Sequence, residues 1–145
     1  MAVRRVMLAV TILLSAPIFL FGSLDRFVGT WNATGRGLTK MQISVSGKQV
    51  RLHAFGSCHP EDCDWGEVDG QAYAPGVNEN VLNTAKAVIA QYETGFSRTI
   101  IVIYPGDTVD ELRVETFTVF TDSSGRSPYN TTTLMRRVRR NPEGR

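Results

Sequence analysis

The sequence predicts an all-β domain, a closed antiparallel meander barrel of about eight strands, with a two-sheet β-sandwich as the alternative. Three observations predict it. From Leu24 onward, polar and apolar residues alternate with a period of two far more often than 3.6. β-Branched residues are plentiful in the alternating runs, where they pack well on a pleated surface. Short turns bearing Gly or Pro separate the runs, with no repeat and no interdomain linker. A meander of this kind buries one face of each strand and removes its edges by closing on itself.

Taken in order, Phe27 to Ala33 supplies a first strand, with Val28 and Thr30 on one side and Trp31 on the other. Met41, Ile43 and Val45 alternate with Gln42, Ser44 and Ser46, and Ser46-Gly47-Lys48 then turns the chain, because Gly tolerates positive φ. Val50, Leu52 and Ala54 continue the pattern against Arg51 and His53. Asp64 to Ala74 is a fourth strand ending at the breaker Ala74-Pro75-Gly76. Asn80 to Glu93 is ambiguous, since Leu82, Ala85, Ile89 and Tyr92 would also line a helical face; the β-branched run Thr99 to Tyr104 just beyond favours strand. Leu112, Val114, Thr116, Thr118 and Phe120 alternate next, and Tyr129 to Arg139 is the last strand. Trp31, Ile43, Leu52 and Val114 are thereby expected in the interior.

The N-terminus bears on compartment. Arg4 and Arg5 precede a run from Val6 to Phe21 broken only by Thr11, Ser15 and Pro17, the signature of an export segment. Residues 1–23 are read as a signal peptide or a signal anchor, 24–140 as the barrel and 141–145 as a basic tail. No small-x-small cleavage site follows the apolar run. Val6 to Leu24 as a helix would span roughly 28 Å at about 1.5 Å per residue, enough to attach the chain to a membrane. The arginines place Leu24 onward outside the cytosol, secreted, periplasmic or anchored.

Charge excludes one class of partner. Of 16 basic residues, Arg4 and Arg5 belong to the export segment, which leaves 14 against 14 acidic. Arg136, Arg137, Arg139, Arg140 and Arg145 crowd the C-terminus, so residues 24–135 are net acidic. A nucleic-acid binder needs a basic body, not only a basic tail. Outward-facing arginines on the last strand would protect an edge or solvate a face.

Gly29-Thr30-Trp31 on the first strand, with an arginine late in the last, resembles the calycins, the group of lipocalins and avidins. The resemblance implies that Trp31 closes one barrel end with Arg136 or Arg137 packed on its ring. Avidins surround biotin with several tryptophans, whereas this sequence has only Trp31 and Trp65, which argues against biotin as the ligand. The run Phe55-Gly56-Ser57-Cys58-His59-Pro60-Glu61-Asp62-Cys63-Asp64-Trp65-Gly66 is similar to a segment of uncharacterised exported bacterial domains, as are Arg36-Gly37-Leu38-Thr39 and Ser124-Gly125-Arg126. That likeness spans most of residues 27–140 and implies fold and compartment but no activity.

Cys58 and Cys63 are the only cysteines, and outside the cytosol the simplest reading is a disulfide. The alternative is a metal site drawing on His53, His59, Asp62 and Asp64 beside the cysteines. Glu61, Asp62, Asp64, Glu67 and Asp69 form an acidic rim whose spacing matches no EF-hand. There is no Gly-x-Ser-x-Gly elbow and no phosphate loop. No catalytic constellation and no cofactor site emerges. The chain therefore reads as a non-catalytic binding or interaction module for an unknown small molecule or an extracytoplasmic protein. The alternatives are a small metal-dependent enzyme centred on the histidines and the acidic loop, and a ligand-free structural envelope domain.

Overall fold

A computed structural model of the chain describes residues 23–33 and 35–139. The export segment through residue 22, Arg140, Arg145 and the 141–145 tail lie outside the described residues. A single 3-10 turn, Ser23–Phe27, leads into eight strands: β1 Gly29–Asn32, β2 Leu38–Ser46, β3 Gln49–Gly56, β4 Cys63–Tyr73, β5 Ala87–Glu93, β6 Ser97–Pro105, β7 Glu111–Phe120 and β8 Tyr129–Arg137. Each pairs antiparallel with the next, and β1 pairs with β8, so the meander is a closed barrel. The alternative of two stacked sheets does not occur.

The ambiguous stretch before the Thr99 run contains both structures. Val81–Thr84 is a short helix, α1, and Ala87–Glu93 is strand. Asn80 supplies the reason, because its side-chain oxygen accepts the Leu82 N–H at 3.1 Å and caps the turn. The β2–β3 hairpin turns on Gly47 at φ +59, with Ser46 paired to Gln49. A glycine at the first of two turn residues, and no positive φ at Lys48, is the type II′ pattern that matches strand twist.

Inward positions pack one half of the barrel solidly. Trp31, Met41, Val50, Leu52, Val88, Ile101, Ile103, Val114 and Met135 have no exposed surface, and Ile43 retains 3%. The turn before β1 plugs this end with Leu24 and Phe27, and Ser23 Oγ donates to the Ala85 carbonyl just after α1 at 3.2 Å. The outer wall is largely polar, with Arg51 between Glu67 and Asp69 and Arg98 against Glu93. No helix among the described residues is long and apolar enough to cross a membrane.

Candidate functional site

The closed end must be distinguished first, because it holds the residues expected to seal the barrel. Trp31 Nε1 donates to the Phe27 carbonyl at 2.9 Å, which satisfies its one polar atom inside the core. Trp31 stands opposite Arg137 in the β1–β8 register, and the guanidinium carbon lies 4.1 Å from the ring centroid. Arg137 also donates to the carbonyls of Val28, Arg26 and Val109 and faces Asp110 at 3.4 Å. Arg136, one residue earlier, points outward and meets only Glu111 at 3.6 Å, with 79% of its side chain exposed. Arg139 pairs with Asp110 at 2.7 Å.

The opposite end is open, and its walls are set by a change of residue type along three strands. Inward positions run Ile103, Ile101, Thr99, Ser97 along β6 and Leu112, Val114, Thr116, Thr118 along β7. On β8, Met135 lies at the packed end, while Thr131 and Tyr129 reach the open end. Aliphatic side chains thus give way to hydroxyls on all three strands, stepped by one inward position from strand to strand, since Thr99 opposes Thr118 whereas Thr116 opposes Thr131 on β8 and Ile101 on β6. The hydroxyls pair across the strands, Thr99 with Thr118 at 2.9 Å and Thr116 with Thr131 at 2.6 Å. Each pair satisfies one donor and leaves the other hydroxyl hydrogen free to turn.

An aromatic wall faces them. Trp65 comes from β4, and a bulge places it there. His53 pairs with Glu67 and Phe55 with Asp64, so β4 carries an extra residue between them, absorbed at Gly66 with φ +82. In regular alternation through Gly66, without the bulge, Glu67 would follow Trp65 into the interior. With it, Glu67 turns out to Arg51 at 2.7 Å, and Val68 packs against the core. The Trp65 ring packs closely against Gly56, where a Cβ would sit 2.6 Å from the indole. Tyr92 meets Trp65 edge-on, ring centroids 5.8 Å apart, and donates to the Leu52 carbonyl at 2.9 Å.

Phe96, Phe120 and Tyr129 form the rim. Arg126 stacks over Phe120 at 3.7 Å and is neutralised by Asp122 at 2.7 Å. Hydrogen bonds from Ser124, and then from Arg126, hold the Asp122 carboxyl below its ordinary range. Between the walls lies a cup of about 210 Å³ with no charged side chain in its lining. A larger hollow of about 350 Å³ on the outer wall beside Thr30 and Gln42 is an open surface depression.

The residues singled out by chemistry lie elsewhere. Cys58 and Cys63 are bonded, with Cα atoms 5.4 Å apart, in the β3–β4 loop at the open end. Ser57 N donates to the Gly37 carbonyl at 2.7 Å, which ties this loop to the β1–β2 loop. His53 and Asp64 meet on the outer wall at 2.6 Å, and Phe55 stacks on the His53 ring. Asp62 instead accepts from Thr39 at 2.7 Å, and His59 is exposed in the loop. Among the described residues no three His, Cys, Asp or Glu side chains converge as metal ligands would.

The cup went unrecognised in the sequence, although its signal is there: the step from Val114 to Thr116 and from Ile101 to Thr99 on inward positions. The fold and the cup define a small closed β-barrel, packed at one end and hollow at the other. Comparison with protein-family models, with curated proteins and with solved structures finds no match for the chain.

Proposed function

We propose that the chain is an exported, non-catalytic binding module of calycin type that takes a small uncharged ligand in the cup at its open end. The observation that carries this reading is that three consecutive strands, β6, β7 and β8, each change from aliphatic to hydroxyl at their inward positions toward the open end. A core built only for stability would continue the aliphatic series, since a buried hydroxyl gains nothing over a well-packed methyl. The absence of charge in the lining matches a neutral ligand, because burying an unpaired ion is costly. At about 210 Å³ the cup is smaller than the ~300–1,000 Å³ of sites for drug-sized molecules, so it encloses about one ring of a ligand.

Gly29, Trp31 and Arg137 support the calycin assignment through their packing at the closed end. The Cys58–Cys63 disulfide and the arginines before the apolar N-terminal run support export. Trp65 is a built-in reporter of occupancy. Titration with neutral ring compounds should change its emission saturably and raise the melting temperature, and Trp65→Phe should abolish the optical response. The reading falls if no such compound does either. A reporter fused after Arg145 that works only in the cytoplasm would overturn the export component.

A further inference from the structure

We infer that the ligand is a neutral monosaccharide in its pyranose form, an inference that rests on the cup being a ligand site. The two walls carry opposite chemistry. Trp65, backed by its contact with Gly56, brings an indole to one wall, while Thr99, Thr116, Thr118 and Thr131 offer hydroxyls from the other strands. A pyranose has the same division, with a face of C–H groups and an edge of hydroxyls. Its C–H face buries apolar area against the indole, and its hydroxyls meet the threonines.

The threonine pairs also discriminate among polar ligands. A hydroxyl donates one hydrogen and accepts through two lone pairs, and it rotates. Either member of the Thr99–Thr118 and Thr116–Thr131 pairs can be the donor. Such a wall complements a ligand whose groups are equally reversible, which is the character of sugar hydroxyls. A nucleobase edge has set donors and acceptors that rotating hydroxyls also match, which is why uracil is among the probes below. A purely apolar ring would leave the turning hydroxyl hydrogens unpaired. Uronic and sialic acids would bring a carboxylate into a lining without a cation. Size agrees, since about 210 Å³ holds roughly seven waters at ~30 Å³ each, the bulk of one hydroxylated six-membered ring and too little for two.

The test is calorimetric titration of the oxidised protein with glucose, galactose, mannose and N-acetylglucosamine, beside cyclohexanol and uracil. At least one sugar should bind saturably at 1:1. The double variant Thr99→Val/Thr118→Val removes both members of a pair and orphans neither, so it should fold. It should weaken that sugar at least about tenfold, as expected where a site built to bond hydroxyls loses them, and leave cyclohexanol unchanged or tighter. If cyclohexanol or uracil binds and no sugar does, the monosaccharide inference is wrong while the cup remains a ligand site. Silence from every probe removes both. Sugar binding that the double variant leaves intact also overturns the inference.

Discussion

The guanidinium of Arg137 lies 4.1 Å over the ring of Trp31, and the two residues face each other across the β1–β8 seam that closes the barrel. Gly29 makes the approach feasible. Its φ of +139 suits glycine, and a Cβ there would stand 2.7 Å from Arg137 Nη1. The spacing Gly29-x-Trp31 therefore encodes a contact with a residue more than a hundred positions away. The guanidinium also gathers the carbonyls of Arg26, Val28 and Val109, which joins the N-terminal turn, the seam and the β6–β7 turn in one cluster.

Trp31→Ala should cost about 3–5 kcal/mol, the usual loss for truncating a buried Trp, against the ~5–15 kcal/mol that holds a domain of this size. Arg137→Ala should cost about 2–3 kcal/mol, because a charged donor serving several carbonyls is lost with the ring contact. Arg136→Ala should cost no more than about 1 kcal/mol, since its contact with the largely buried Glu111 is long at 3.6 Å and the arginine end is 79% exposed. Urea unfolding of the three variants checks the order. Equal effects for the two arginines would contradict the seam described above.

Gly29→Ala strains the backbone and meets Arg137 at once, so it should destabilise by at least about 1 kcal/mol. Pairing it with Arg137→Ala relieves the steric part only. The double variant should thus be less destabilised than the sum of the singles, a coupling that a double-mutant cycle measures. Simple additivity would mean that the two positions do not touch.

The Cys58–Cys63 bond closes a six-residue loop, worth about 2 kcal/mol in chain entropy. Cys58→Ser/Cys63→Ser should lower stability by about that amount in urea. Trp65 follows Cys63 by two residues in β4 and rests on Gly56, the register partner of Cys63. The same variant should therefore shift Trp65 emission, and any affinity of the cup should weaken. An unchanged emission spectrum would separate the loop from the cup wall.

Asp64 predicts an acid limit local to this hairpin. The Gly66 N–H, and then His53, hold its carboxyl below the ordinary value of 3.8. A carboxyl depressed in the folded state contributes fully above its unfolded value, and the contribution is lost as pH falls below 3.8 through the folded value. Asp64→Asn keeps an acceptor for Gly66 but cannot titrate. Its stability should change less than the parent's between pH 4 and lower values, and identical acid profiles would rule the contribution out.

Tyr92 predicts the alkaline side. Burial, first among the causes, pushes its phenol well above the ordinary value of 10.0. Stability tied to the neutral phenol is complete below pH 10 and is lost as pH rises beyond it, since only the unfolded chain ionises there. Tyr92→Phe forfeits the hydrogen bond to Leu52 but should flatten the fall above pH 10. A parallel fall in both proteins would place the alkaline sensitivity elsewhere.

Strand number, meander order and turn positions were legible in the sequence because their causes are local. Alternation in Leu112–Phe120 assigns a face residue by residue, and Gly47 or Pro105-Gly106 ends a strand wherever it stands. The cysteine pair was legible for the same reason, being isolated and close in sequence. What needed the tertiary structure depends on register between distant strands. Only the closure of β1 on β8 selects Arg137 over Arg136 for the Trp31 ring, since neighbouring residues on a strand face opposite ways. Only the pairing of β3 with β4 reveals the bulge at Gly66, which turns Trp65 inward and Glu67 outward. The cup arises where Thr99, Thr116, Thr118 and Thr131 come together from three adjacent strands, and their meeting is set by the hydrogen-bond stagger of the whole barrel, a collective quantity that no single segment carries.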